Sequence, residues 1–79
     1  MITVTIPHYI LNRNDLLPQY KLIYGVLFSY GANKVPLKIL QTEIAEMTGT
    51  DRRMVQRAFK KMYQLGLVEK VGYWTYQII

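Results

Sequence analysis

Residues 43–70 read EIAEMTGTDRRMVQRAFKKMYQLGLVEK, and this stretch contains the clearest structural pattern of the chain. In its second half, apolar side chains recur three or four residues apart, which is the spacing of one face of an α-helix. These inward-facing residues are Val55, Ala58, Phe59, Met62 and Leu65. The spacing predicts a helix over 51–65 that ends at Gly66. Thr50 is the expected N-cap, with Asp51 placed favourably against the positive end of the helix dipole.

The opposite face of the predicted helix is basic. Five of the ten basic residues in the chain fall in one ten-residue window that contains no acid: Arg52, Arg53, Arg57, Lys60 and Lys61. A concentrated positive face attracts polyanions because binding releases counterions, and the chain has a formal net charge of +5. A solvated helix face is the alternative interpretation. One of the first two arginines could pair with Glu43 or Glu46, but this would not account for five bases in one window.

Upstream of this helix, the sequence predicts a shorter helix that begins at Gln41 or Thr42 and a tight, glycine-containing turn over 48–50. Two helices joined by such a turn form a helix-turn-helix. A DNA major groove about 12 Å wide admits one α-helix, and there Arg can donate to guanine and Gln to adenine. The residues with this chemistry are Arg52, Arg53, Gln56 and Arg57. Lys60 and Lys61 lie a turn or more onward, where the helix would meet phosphate.

A β-hairpin is predicted after the basic helix, with Gly72-Tyr73 as the central pair of a type II′ turn, which requires Gly first. The side chains that this register places on the core side are Leu67, Val71, Trp74, Tyr76 and Ile78. Lys70 is the only basic residue of the hairpin, and Tyr73 is the aromatic residue expected to be exposed at the turn. Both are candidate DNA contacts, although so short a loop predicts that most of the affinity comes from the helix.

The front half of the chain predicts a strand and a helix. Apolar residues at positions 2, 4 and 6 alternate with threonines, which predicts a β-strand that Pro7 ends. Pro18 suits the first turn of a helix, and Gly31 is the expected cap at its end. A further short strand is expected at 38–40. The tyrosines expected in the core or half-buried are Tyr9, Tyr20, Tyr24 and Tyr30.

Two parts of the chain resemble known proteins. The stretch 43–58, followed by Leu65-Gly66-Leu67-Val68-Glu69-Lys70, resembles the central motif of bacterial winged-helix proteins. The matching features are Ile44-Ala45 at the second helix, Gly49 in the turn and Val55-Gln56-Arg57 on the recognition helix. The front half, through Ile6-Pro7, Ile10-Leu11 and residues 21–25, resembles the opening of winged-helix domains in phage and plasmid replication proteins. The resemblances imply a DNA-binding protein of a mobile element, acting in replication or in transcription regulation.

The patterns and the resemblance together predict one domain over 1–79 with an α+β winged helix-turn-helix fold. It would contain three helices and a small antiparallel sheet made of the C-terminal hairpin and the N-terminal strand. The chain lacks cysteine, and His8 and Ser29 are its only histidine and serine, so no metal, cofactor or enzymatic activity is expected. It has no apolar run of about 20 residues and no signal-peptide pattern, so a cytoplasmic protein without membrane contact is expected.

The leading hypothesis is a non-enzymatic protein that binds duplex DNA through the helix 51–65. A homodimer or a partner protein would supply the specificity that one helix lacks. One alternative keeps DNA as the ligand but makes it single-stranded, with Tyr73, Trp74 and Tyr76 as stacking platforms. Another is a protein-interaction module that uses the strand 1–6 or the aromatic hairpin as its contact surface.

Overall fold

The computed structural model describes residues 4–79 of the chain. Its helices are α1 (His8–Leu11), α2 (Pro18–Ser29), α3 (Gln41–Thr48) and α4 (Arg52–Gln64). Its strands are β1 (Leu37–Lys38), β2 (Val68–Gly72) and β3 (Thr75–Ile78). This order confirms the predicted α+β helix-turn-helix with a C-terminal hairpin, and adds the short α1, which the sequence patterns did not indicate. Among the described helices, none is both long enough and apolar enough to cross a membrane.

The basic helix begins one residue later than predicted, because Asp51 and not Thr50 is its N-cap. Asp51 has an extended backbone, and its side chain accepts a hydrogen bond from the Met54 N–H at 2.8 Å. Such a cap satisfies one of the N–H groups that the first helical turn leaves free. The Thr50 hydroxyl instead lies 2.9 Å from the hydroxyl of Thr48, which donates to the Ile44 carbonyl at 2.8 Å. Thr50 therefore belongs to the turn.

Within residues 4–79 the third strand of the sheet is β1, and the described part of the N-terminal segment that was predicted to be a strand is not in the sheet. The strand order is β1-β3-β2, and β1 pairs antiparallel with β3, with Leu37 opposite Tyr76. Residues 4–7 adopt no strand, and the first three positions of the predicted strand lie outside the described residues. Residues 4–6 instead lie along α2, where the Thr5 N–H donates to the Ser29 hydroxyl at 2.7 Å. The alternation of apolar residues and threonines in this segment therefore did not show that the segment packs on α2 and not on the sheet.

The hairpin register differs by one residue from the predicted one. Val68 is opposite Ile78 and Lys70 is opposite Tyr76, and an irregularity at Val71 brings Gly72 opposite Thr75. The central residues of the turn are therefore Tyr73 and Trp74, and Trp74 has a positive φ of 52°. A one-residue slip moves side chains to the other face of a strand. As a result Val71 is 44% exposed, and Val68, which was not predicted as a core residue, is buried.

The core lies between the helices and one face of the sheet. Tyr76 and Ile78 are buried as predicted, and the ring of Tyr76 stacks on that of Phe59 with centroids 4.3 Å apart. The helices contribute Ile23, Leu27, Ile44, Val55 and Met62, all fully buried. Each such side chain stabilises the fold by about 1.5–3 kcal/mol relative to exposure. The prediction that Tyr9 is at least half-buried is wrong, since it is 57% exposed.

Candidate nucleic-acid interface

The outward face of α4 carries the predicted cationic side chains in solvent. The exposed residues of this face are Arg52, Arg53, Gln56, Arg57 and Lys60. Within residues 4–79 a single ion pair forms, between Arg13 and Asp15 at 2.7 Å, so neither Arg52 nor Arg53 pairs with an acid of α3. The positive charge of α4 is therefore not neutralised by neighbouring carboxylates. That leaves it able to attract a polyanion.

Helical periodicity divides these side chains into two strips. Arg52, Gln56 and Lys60 recur every four residues and face the hairpin, where they line one wall of a groove with a volume of about 440 Å³. Lys70 and Trp74 line its other wall. We call this space, between α4 and the β2–β3 hairpin, the α4–hairpin groove. Its lining contains no carboxylate, so its three cations give it a positive potential.

Arg53 and Arg57 form the other strip and do not line the α4–hairpin groove. They are exposed on the part of α4 that faces away from both the core and the hairpin. Lys61 lies on the far flank of the helix and is half-buried. The hydrogen bond from Arg13 is the main cause of the lowered pKa of Asp15, and the charge of Lys61 lowers that pKa further. Lys61 is therefore close to the loop before α2, away from the hairpin.

A family model of the Crp-like helix-turn-helix domain matches residues 8–79. The chain belongs to the Crp-like helix-turn-helix family. A search of curated proteins and a search of solved structures found no significant match. Membership agrees with the geometry, because α3, the turn at 49–51 and α4 are the helix-turn-helix, and the hairpin is the wing. The fold and the family are thus those of a DNA-binding regulatory domain, with α4 in the position of the recognition helix.

The wing of this Crp-like domain is short and aromatic. Tyr73 at its tip is 78% exposed, and its ring lies edge-on to that of Trp74 with centroids 5.3 Å apart. The Lys70 ammonium nitrogen lies 5.9 Å from the ring centroid of Tyr73 and 6.0 Å from that of Trp74. Cation–π contacts of this kind stabilise an exposed cluster by about 0.5–1 kcal/mol. The wing therefore presents one cation held against two aromatic rings.

Sequence reasoning missed several residues of the α4–hairpin groove. The Gln41 amide donates to the Tyr76 hydroxyl at 3.3 Å, and both residues line the groove. Tyr63 also lines the groove, and burial, with the nearby Tyr76, raises its pKa to about 12. Burial also raises the pKa of Tyr76, although the hydrogen bond from Gln41 and the charge of Arg52 oppose it. Tyr63 lies two helical turns after Gln56, and this spacing was the one feature of the sequence that indicated its place on the same side of α4.

The structure thus brings some predicted site residues together and separates others. Arg52, Gln56, Lys60 and Lys70 line the α4–hairpin groove. Tyr73 stands beside it at the wing tip, stacked edge-on against a groove residue. The remaining predicted residues lie apart from the groove: Thr50 in the turn, Arg53 and Arg57 on the outer strip, and Lys61 on the far flank. No group of His, Asp or Glu side chains within residues 4–79 is arranged to hold a metal ion.

Proposed function

We propose that this domain is a non-enzymatic protein that binds duplex DNA with α4 in the major groove. The observation that carries the proposal is the solvent-exposed, unpaired row of basic and amide side chains on the recognition helix of a Crp-like helix-turn-helix domain. One face of α4 is fixed in the core by Val55 and Phe59, so the opposite face is presented as a rigid surface. A helix held in this way fits a groove about 12 Å wide.

Both strips of α4 contribute contacts in this proposal. Arg53, Gln56 and Arg57 would reach base edges, since Arg reads guanine and Gln reads adenine through paired hydrogen bonds. Arg52 is in the first turn of α4 and is a further candidate base contact. Contacts to the phosphates would come from Lys60, Lys61 and Lys70. The turn residue Thr50 would join them by exchanging the hydrogen bond between its hydroxyl and that of Thr48 for one to a phosphate oxygen. Tyr73 would lie against the sugar–phosphate backbone at the wing tip.

Fluorescence titration of a labelled duplex over a salt series tests the proposal. We expect Arg57→Ala to weaken sequence-selective binding by roughly 5- to 150-fold, the equivalent of about 1–3 kcal/mol for one base contact. Lys60→Ala should weaken binding to every sequence and reduce the salt slope by about 1. Lys34→Ala is the matched control, because it removes one exposed positive charge from the loop after α2. No duplex binding at low salt, or equal losses in the control, would refute the proposal.

A narrower role rests on the resemblance of the front half to phage and plasmid replication proteins. It favours a DNA site at an operator or a replication origin of a mobile element. Selection of bound fragments from the DNA of the host and of its mobile elements tests this role. Enrichment of fragments from origins or promoters of such elements is expected, and random recovery across the chromosome would contradict it.

A further inference from the structure

We propose that the α4–hairpin groove binds one unpaired nucleotide of a nucleic-acid strand, with its phosphate on the groove cations and its base against Trp74. This goes beyond duplex binding, because it assigns a function to Trp74 and to the amides and phenols inside the groove. The outer strip of Arg53 and Arg57 takes no part in it. The two proposals share the cations and Gln56 of the groove. Variants of Trp74 on one side, and of Arg53 or Arg57 on the other, therefore distinguish nucleotide binding from recognition of a major groove.

The size and charge of the groove fit a phosphorylated ligand that also has a flat ring. Its volume of about 440 Å³ lies within the range of roughly 300–1,000 Å³ typical of small-molecule sites. Arg52 and Lys60 approach from the helix and Lys70 from β2, so cations face each other across the space. With no acid in the lining, a phosphate placed there meets only attractive charges.

Uncharged donors add to these cations. The phenol of Tyr63 also lines the groove and can donate its proton to a phosphate oxygen. Tyr76 accepts a hydrogen bond from Gln41, and within residues 4–79 its own hydroxyl proton has no acceptor. The Gln41 carbonyl oxygen and the Gln56 amide remain to bond the edge of a base. Mixed donors and acceptors of this kind suit a nucleobase better than a bare anion.

The hairpin turn fixes the backbone of Trp74 and so positions its side chain. A bulky residue rarely takes a φ of 52°, and such a conformation costs about 1–3 kcal/mol, which the surrounding structure must offset. Trp74 is half-buried and lines both the α4–hairpin groove and a smaller cavity of about 190 Å³ beside Leu40 and Thr42. Trp74, with Gln41 and Arg52, therefore borders both open spaces. An indole presented in this way can stack a base.

An unpaired nucleotide uses this arrangement more fully than the backbone of a duplex does. In a duplex the bases are stacked on each other, so a strand passing through the groove would contact Arg52, Lys60 and Lys70 and leave the indole unused. An unpaired base can turn towards Trp74 while its phosphate stays on the cations. The buried stack of Phe59 and Tyr76 forms a firm floor beneath it.

The fluorescence of Trp74, the only tryptophan of the chain, gives a direct test. We expect a short oligothymidylate to quench this fluorescence, because a stacked base quenches indole emission. The Lys70→Ala variant should show a lower affinity for the oligothymidylate in the same titration. An abasic oligomer of equal length carries the same phosphates without bases, and it should bind more weakly and leave the emission unchanged. Equal affinity for the abasic oligomer would make the groove a backbone site and overturn the proposal.

Trp74→Asn tests the platform itself. Asn tolerates a positive φ, so this variant keeps the turn, and its binding is followed by the anisotropy of a labelled oligothymidylate. We expect a loss of roughly 5- to 150-fold, the equivalent of about 1–3 kcal/mol for one stacked base. Duplex binding should persist in Trp74→Asn, whereas Arg53→Ala should weaken duplex binding far more than oligothymidylate binding. Undiminished oligothymidylate binding by Trp74→Asn would overturn the proposal. Thymidine monophosphate that bound as tightly as the oligomer would overturn the assignment to a strand.

Discussion

Replacing Gly25 with alanine should loosen the N-terminal segment from α2. A Cβ atom at this position would lie 2.8 Å from the Cγ1 atoms of both Val4 and Ile6, and 3.3 Å from the Thr5 carbonyl oxygen. Val and Ile are branched at Cβ and rotate stiffly, so they cannot turn aside without moving the segment. Overpacking of this kind costs about 1–3 kcal/mol. Alanine in a helix interior recovers about 1 kcal/mol relative to glycine.

The net effect of Gly25→Ala on the free energy of unfolding is thus expected between about zero and a loss of 2 kcal/mol. In the background Val4→Ala/Ile6→Ala both Cγ1 atoms are gone, and the same change should stabilise by about 0.5–1 kcal/mol. Urea unfolding of the four proteins, followed by Trp74 fluorescence, gives the coupling energy of the cycle. We expect a coupling of about 1–3 kcal/mol. Equal stabilisation by alanine in both backgrounds would refute the close approach of residues 4–6 to α2.

Two further predictions concern α4. Asp51→Ala removes the cap that accepts from the Met54 N–H and should cost about 0.5–2 kcal/mol in urea unfolding, whereas Asp51→Ser should retain most of the stability. The second uses pH. Burial raises the folded-state pKa of Tyr63 to about 12, above an unfolded value near 10. The contribution of the protonated phenol to the free energy of unfolding is therefore complete below pH 10 and is lost as pH rises towards 12. Urea midpoints should fall less steeply above about pH 10 in Tyr63→Phe than in the original protein, and identical slopes would contradict the prediction.

The basic helix was the most predictable element. The spacing of Val55, Phe59 and Met62 is a local property of the chain, and it located the helix to within one residue at each end. The cap was harder, because Thr50 and Asp51 are both good N-cap residues and only the backbone conformation decides between them. The two strips of α4 follow from periodicity, but periodicity does not say which strip faces the hairpin.

The hairpin was predictable as an element and not in its register. A Gly72-Tyr73 turn and a Tyr73-Trp74 turn satisfy the same alternating pattern apart from a shift of one residue. The observed turn requires a positive φ at Trp74, a conformation that residue preferences argue against. Because the shift changes which side chains face inward, Trp74 moved from a predicted core position to the wall of the α4–hairpin groove.

Local sequence patterns were sufficient to predict the helix-turn-helix, the hairpin that follows it and the basic face of α4. Helix periodicity, turn residues and charge act between near neighbours in the chain. Tertiary structure alone decided the partner of β3, the path of residues 4–6 across Gly25 and the groove that joins Gln41, Arg52 and Trp74. These features depend on contacts between residues far apart in the chain. Several pairings would satisfy the same local pattern, and the packing of the whole core selects one of them.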